Sequence, residues 1–374
     1  MTRLPVRLGI QQRILPAYRV PFFDMLAGEC EGGLSLFAGD PLPGEGVITG
    51  ELSISRVYHA NYRRLPFNLG GALWQTNILD WVKEWDPDIL ICEANPRTRT
   101  TPAAIRAVKS RGGSVIGWGL GAPDFHGILA PFLESYRRSV LYEYDAIISY
   151  SQTGADQYAR LGIPPERIFT ACNAVAAKPA HSAPERKPTA TAAELKLLFV
   201  GRLQERKRVD LLLEACARQP EGMQPVLWIV GDGPALDTLR EKAKKVFPRA
   251  VFFGALQGRE LEEKFSAADL FVLPGTGGLA VQQAMSFALP VIVAEADGTQ
   301  EDLVRPENGW RITPGHLDEL TKTITLALRD ISILRAMGQE SYRIVSREIN
   351  LERMVEGFKK AILFALSNAS RKGE

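Results

Sequence analysis

The residues best placed to do chemistry begin at Pro274-Gly275-Thr276-Gly277-Gly278. An apolar run, Leu270 to Leu273, precedes this turn. Helix-forming residues follow it to about Ala288, and a second apolar run spans Val291 to Ala294. That order reads as strand, glycine turn, helix, strand. Such a turn leaves backbone N–H groups free at a helix N-terminus, where the macrodipole favours an anion or an array of ligand hydroxyls. Gly275, Thr276, Gly277, Gly278 and Leu279 are therefore binding candidates.

Other polar groups stand where strands end, and open α/β sheets place ligand contacts at their carboxyl edge. Val6 to Ile10 reads as a strand, which puts Arg13, Tyr18 and Arg19 in the loop behind it. Asp88 to Glu93 reads as a buried strand, followed by Asn95, Arg97 and Arg99 in a polar loop. Ser114 to Trp118 is another, and of the four histidines only His126 lies in a loop of this kind. Each has a plainer reading. Surface arginines and loop histidines are usually solvated, and Asn95 and Thr100 suit turn formation and capping.

The elements that must position these groups alternate. Strands are expected at Leu34–Ala38, Asp145–Tyr150 and Ile168–Ala171, and a helix over Asn68–Trp85, with Leu73, Trp74, Ile78, Trp81 and Val82 on one buried face. Ala177 to Ala192, rich in Pro, Ala and charge, has a linker's composition. The pattern then restarts, with strands at Leu195–Val200, Val226–Val230 and Val251–Phe253 and helices at Val209–Arg218, Leu236–Val246 and Arg259–Ala267. Helices follow at Leu317–Leu328 and Ile331–Met337, and an amphipathic one at Asn350–Leu366. Alternation of this kind implies parallel sheets with helices on both faces. The expected organisation is a Rossmann-like, doubly wound domain over 1–176, a linker over 177–194, a second such domain over 195–349 and a C-terminal helical segment over 350–374. A cleft between two such domains is the default small-molecule site.

Composition narrows the class. The chain has 374 residues, 45% apolar and 24% charged, which suits a globular protein of two domains. A net charge of +2 makes no electrostatic case for nucleic acid. Four scattered cysteines, with no C-x-x-C pair, argue against zinc and against a disulfide framework. The expected compartment is the cytoplasm, with peripheral contact at the inner face of the membrane left open, because no window approaches a membrane span.

Several segments together resemble family 4 retaining glycosyltransferases of the GT-B fold. They are Phe199-Val-Gly-Arg-Leu203 with Lys207 and Asp210-Leu-Leu-Leu; Val230-Gly-Asp-Gly-Pro234; Phe253-Gly254 with Glu260-Leu; Ala268-Asp-Leu-Phe-Val-Leu-Pro274; Gln283-Ala-Met-Ser-Phe-Ala-Leu-Pro-Val291; and Glu301 with Asn308-Gly309. The resemblance covers the second half, and Asn173-Ala-Val resembles the motif before the interdomain linker. It implies two Rossmann-like domains facing a central cleft, with the last helix crossing back to the first domain. It implies transfer of a sugar from a UDP- or GDP-sugar, with retention and no metal or other cofactor, to a glycan, lipid-linked or small-molecule acceptor, as in polysaccharide biosynthesis.

By the same resemblance, Arg202 and Lys207 hold the pyrophosphate; His126 is a catalytic candidate through its loop position alone. Gly201, Gly231, Gly254, Gly275, Thr276, Gly277, Gly278, Leu279 and Gln283 line the donor site, while Arg13, Tyr18, Arg19, Asn95 and Arg97 face the acceptor. One departure stands out. The family commonly carries a pair of glutamates, and here the two positions are Gly275 and Gln283. Gln283 can hydrogen-bond ribose hydroxyls without charge. The departure keeps open a nucleotide-sugar-binding homologue that has lost catalysis and acts as a partner subunit. A GT-B sugar-nucleotide epimerase is a further alternative, weakened by the scarcity of histidines for acid–base work.

Overall fold

The computed structural model describes residues 3–41, 47–64, 73–95, 97–128, 130–180, 182–186, 191–277, 279–296 and 299–372. They divide into two compact units, Met1–Val175 with Leu351–Glu374, and Ala176–Asn350.

The first unit is built on a seven-stranded parallel sheet. Its strands are β1 (Leu8–Ile14), β2 (Leu34–Gly39), β3 (Arg56–His59), β6 (Ile89–Glu93), β7 (Ser114–Gly119), β8 (Ala146–Ser149) and β9 (Ile168–Thr170), in the order β3-β2-β1-β6-β7-β8-β9. A separate antiparallel hairpin pairs β4 (Tyr62–Arg64) with β5 (Leu73–Gln75). The inner strands are near-continuous apolar runs because helices cover both faces. These helices are α1 (Val20–Gly28), α2 (Ile78–Trp85), α3 (Thr101–Lys109), α4 (Ala130–Tyr142) and α5 (Gln152–Arg160).

The second unit carries a six-stranded parallel sheet ordered β12-β11-β10-β13-β14-β15. Its strands are β10 (Lys196–Val200), β11 (Val226–Val230), β12 (Ala250–Gly254), β13 (Leu270–Leu273), β14 (Val291–Ala294) and β15 (Gly309–Ile312). Its helices are α6 (Val209–Ala217), α7 (Leu236–Val246), α8 (Gly258–Ala267), α9 (Leu279–Ser286), α10 (Thr299–Leu303), α11 (Leu317–Arg329) and α12 (Ile331–Arg347). Arg186 fastens two of them. Its guanidinium donates to the carbonyls of Ala268 and Phe287, and to those of Ser266 at 3.2 Å and Ala288 at 3.3 Å. These oxygens belong to the C-terminal ends of α8 and α9, which lack intrahelical donors. Burial pushes the Arg186 pKa down to about 10, so it remains a cation at neutral pH.

The last helix, α13 (Leu351–Lys372), returns to the first unit. Met354, Phe358, Ala361, Ile362 and Ala365 are buried in that unit's core. The Phe358 ring meets Trp118 edge-on, with centroids 4.9 Å apart, and Phe22 at 4.8 Å. Lys359 pairs with Glu29 beside them.

Several expected boundaries are corrected. β1 runs to Ile14, so Arg13 lies in a strand and not in a loop. The expected helix over Asn68–Trp85 begins only at Ile78, and Leu73–Gln75 is a strand. Residues 68–72 of that expectation lie outside the described residues. The reason is tertiary. The buried Gln75 side chain accepts from Gln11 Nε2 at 2.6 Å and donates to the Gln12 carbonyl at 3.1 Å, which ties β5 to the end of β1. Helix α4, the edge strand β3 and α10 were not anticipated, and α12 runs ten residues past the expected Met337, to Arg347. Among the described residues no helix is long and apolar enough to cross a membrane.

Replacing Phe358 by Ala removes a fully buried ring from a helix that completes the first unit's core. The expected loss is about 3–5 kcal/mol. Calorimetry is expected to show the first unit's transition shifting to lower temperature while the second unit's stays in place.

Candidate functional site

In the second sheet the strand order reverses between β10 and β13, so the loops that follow these two strands emerge side by side. Open α/β sheets bind ligands at such a reversal. The loop after β10 is held from several directions. Gly201 N donates to Val230 O at 3.0 Å, Leu203 N to Asp232 O at 2.8 Å and Ala235 N to Leu203 O at 3.1 Å. Gly231 N donates to Gly254 O at 2.7 Å, which brings the ends of β11 and β12 into the same network. Gly231 is required there, because a Cβ would stand 1.9 Å from the Gly201 carbonyl oxygen.

The loop's second half, a short 3-10 turn over Glu205–Lys207, lies directly on the glycine turn after β13. Thr276 N donates to Arg206 O at 3.1 Å. Lys207 Nζ donates to Thr276 O at 2.6 Å, and Arg206 Nη1 to Thr276 Oγ1 at 3.2 Å. From α10, the buried Gln300 donates through Nε2 to Gly277 O at 3.1 Å. Contact is closest at Gly275, where a Cβ would lie 2.2 Å from Arg206 O and 2.6 Å from Lys207 Cα. No side chain fits at that position without moving the backbone opposite. Burial, and then the neighbouring Arg206 charge, push the Lys207 pKa down to about 8. An anion beside such a lysine favours its protonated form and raises the pKa again.

The structure brings Gly201, Lys207, Gly231, Gly254, Gly275, Thr276 and Gly277 into this one network. Arg202 is exposed in the same loop, and Leu279 is exposed at the first residue of α9. Gln283 is half-buried on α9, with its carbonyl accepting from Ser286 Oγ. Gly278 lies outside the described residues. Arg206 and Gln300 were not singled out from the sequence, although both touch the turn. Arg206 sat inside the basic run Arg206-Lys207-Arg208, which looks like a solvated face, and Gln300 carried no signal at all.

The remaining residues belong to the first unit. His126 is exposed in the loop after β7. Arg13 N donates to Glu93 Oε1 at 2.9 Å, and burial raises the Glu93 pKa. Tyr18 is exposed, and Asn95 accepts from Arg97 N at 3.1 Å, the turn-forming role. Arg97 is itself exposed. Arg19 corrects an expectation, since it is not a loop cation in solvent but 5% exposed. Its guanidinium lies over the rings of Trp118, Tyr150 and Tyr18 at 5.1, 5.2 and 5.5 Å, and it donates to Met354 Sδ at 3.7 Å. The cation–π contacts replace part of the hydration lost on burial.

Residues 183–344 match the family described as glycosyl transferases group 1. Among curated relatives, the sulfoquinovosyl transferase SQD2 of Arabidopsis thaliana is 32% identical over 149 residues, 38% of this chain and 28% of that protein. A GDP-mannose-dependent alpha-mannosyltransferase of Mycolicibacterium smegmatis is 43% identical over 111 residues, 29% of this chain and 27% of its own length. The chain thus spans less than a third of either relative. Solved structures align over nearly the whole chain. Anabaena Alr3699/HepE in complex with UDP gives a TM-score of 0.67 at 16% identity, covering 95% of this chain and 99% of that one. A glycosyltransferase from Rickettsia africae gives 0.68 at 14% identity, covering 96% and 99%. The two parallel-sheet α/β units are those of the GT-B glycosyltransferase fold.

Two outcomes are expected. Gly275→Glu, which restores the residue type common in the family, is expected to weaken pyrophosphate binding at least about ten-fold in calorimetry, because the side chain must displace the Arg206–Lys207 backbone. Lys207 holds its proton below about 8 in the free protein. An anion favours the protonated form, so binding takes up a proton above that pH. Pyrophosphate affinity is therefore expected to fall by up to about ten-fold per pH unit above it, and Lys207→Arg to flatten the profile.

Proposed function

We propose that this chain, whose residues 183–344 form a glycosyltransferase group 1 domain, moves a glycosyl group from a nucleoside diphosphate sugar to an acceptor bound by its first unit, with retention at the anomeric carbon. The observation that carries the reading is the Lys207–Thr276 clamp at the strand-order reversal, which sets the lysine cation on the carbonyl of the glycine turn. As the glycosidic bond to the diphosphate breaks, negative charge grows on the leaving oxygen. Arg202 and Lys207 then bind the departing group more strongly than the substrate, and that difference lowers the barrier. The departing phosphate takes the acceptor's proton on the face it leaves, which gives retention without a carboxylate nucleophile. Gln283 serves the ribose hydroxyls, and His126 and Arg97 serve the acceptor. That acceptor is a glycan, a lipid-linked saccharide or a small molecule.

The relatives' names carry a sulfoquinovosyl group in one case and GDP-mannose in another, so the donor is kept as a UDP- or GDP-sugar. Two cations can meet the diphosphate's charge, and we propose that no metal ion is needed. We place the protein in the cytoplasm, with peripheral contact at a membrane surface where the acceptor is lipid-linked. The closure at Gly275 favours one second reading, a nucleotide-sugar-binding subunit that does not transfer.

A thermal-shift screen of UDP, GDP, ADP and their sugars tests the assignment, since a ligand of the folded state raises its stability by mass action. One nucleotide class is expected to stabilise the protein, EDTA to leave that shift unchanged, and Arg202→Ala with Lys207→Ala to abolish it. Loss of the shift with EDTA would refute metal independence. Binding without transfer across a broad acceptor panel would favour the second reading.

A further inference from the structure

Arg206 has no part in the diphosphate reading, yet it is fixed on the donor turn. Its Nη1 donates to Thr276 Oγ1 at 3.2 Å, its Nε to Gln204 Oε1 at 3.0 Å, and its carbonyl accepts from Thr276 N. Both side-chain partners are neutral oxygens, so the guanidinium keeps its charge uncompensated beside Lys207. Among the described residues no carboxylate bonds Arg206 or Lys207. Asp210 is engaged bidentately by Arg208, and Glu301 pairs with Arg311 at 3.3 Å. Glu205, exposed one residue away, pairs with neither cation. Arg206, Lys207 and Gln300, two cations and an amide, bond the turn through their side chains.

The turn itself cannot supply the missing negative charge. Gly275 is walled by the Arg206 and Lys207 backbone, and Gln283 is neutral. A carboxylate at position 275 would accept hydrogen bonds from a neutral sugar's hydroxyls and would repel an acidic sugar. Its exclusion removes that repulsion and leaves a fork donor in its place.

We propose that the glycosyl group of the donor carries an acidic substituent, a carboxylate or sulfonate, and that Arg206 recognises it beside Thr276. The inference rests on the glycosyl-transfer reading. The sugar is bonded to the phosphate that Lys207 holds, and Arg206 and Lys207 meet on the same threonine, so a substituent on that sugar comes within the guanidinium's reach. Arginine suits the task because its planar fork matches two oxygens of one acid group.

The test uses the full chain and a matched donor pair for whichever nucleobase binds, UDP-glucose against UDP-glucuronate or GDP-mannose against GDP-mannuronate, in calorimetry at constant ionic strength. The acidic member is expected to bind at least about ten-fold more tightly, the scale of a charge-assisted contact. Arg206→Gln is expected to bring the ratio of the two affinities to about one, and Arg206→Lys to keep part of it. The unsubstituted nucleoside diphosphate, measured on each variant, reports whether the site is formed. Equal binding of both sugars by the wild-type protein, tighter binding of the neutral one, or an undiminished ratio in Arg206→Gln overturns the inference. With the nucleoside diphosphate still bound, these outcomes leave the glycosyl-transfer reading standing. Absence of any nucleotide binding overturns that reading, and this one with it.

Discussion

The second unit depends on one close approach, that of the Arg206–Lys207 backbone to Gly275. Two loops that begin at strands separated by some 70 residues of chain are pressed together until no Cβ fits between them. Everything chemical at the site follows from that contact. It sets Lys207 on the Thr276 carbonyl, brings Arg206 to the Thr276 hydroxyl, and lowers the lysine's pKa by removing water. A glycine here does more than relax the backbone, since it decides which charges may stand on the turn.

The contact is supported from behind. Arg186 binds the C-terminal ends of α8 and α9, and α9 is the helix that continues the glycine turn. On the other side Gln300 holds Gly277, and Gln282 donates to Ile349 O at 2.7 Å from inside α9. A site built this way meets its ligand with little rearrangement, because its donors are already oriented by bonds of their own. The first unit uses a different device. Arg19 is buried among aromatic rings, and the buried Gln75 side chain accepts from Gln11 Nε2 and donates to the Gln12 carbonyl.

Much of the second unit was legible because local signals agreed. Leu270 to Leu273, the glycine turn and the helix after it each carried the pattern of the element they form, at the spacing a βαβ unit needs. The failures share a physical cause. Leu73 and Trp74 fit a helical period with Ile78 and Trp81, but a buried hydrogen bond donated by Gln11, 64 residues away, to the Gln75 side chain holds that stretch as a strand. Arg206 resembled any solvated cation, because the threonine that fixes it is 70 residues distant. The glycine at 275 read as a lost carboxylate, since only the folded chain reveals the backbone that stands in the way. Arg19 read as a loop charge because Trp118 and Tyr150, at two other strand ends, and Met354 of the last helix meet it only in the folded chain.

The return of α13 to the first unit has a consequence for how the molecule comes into being. The second unit is continuous from residue 176 to 350 and holds every strand of its own sheet. The first unit is not continuous, since its core includes Phe358 and Ala365. On a ribosome, domains generally fold in the order in which they emerge. Here the unit that begins first must wait for the other to be made before its hydrophobic core can close. Until then the surfaces of Phe22 and Trp118 that α13 covers are bare, and the nascent chain carries its greatest aggregation hazard in the half that was synthesised earliest.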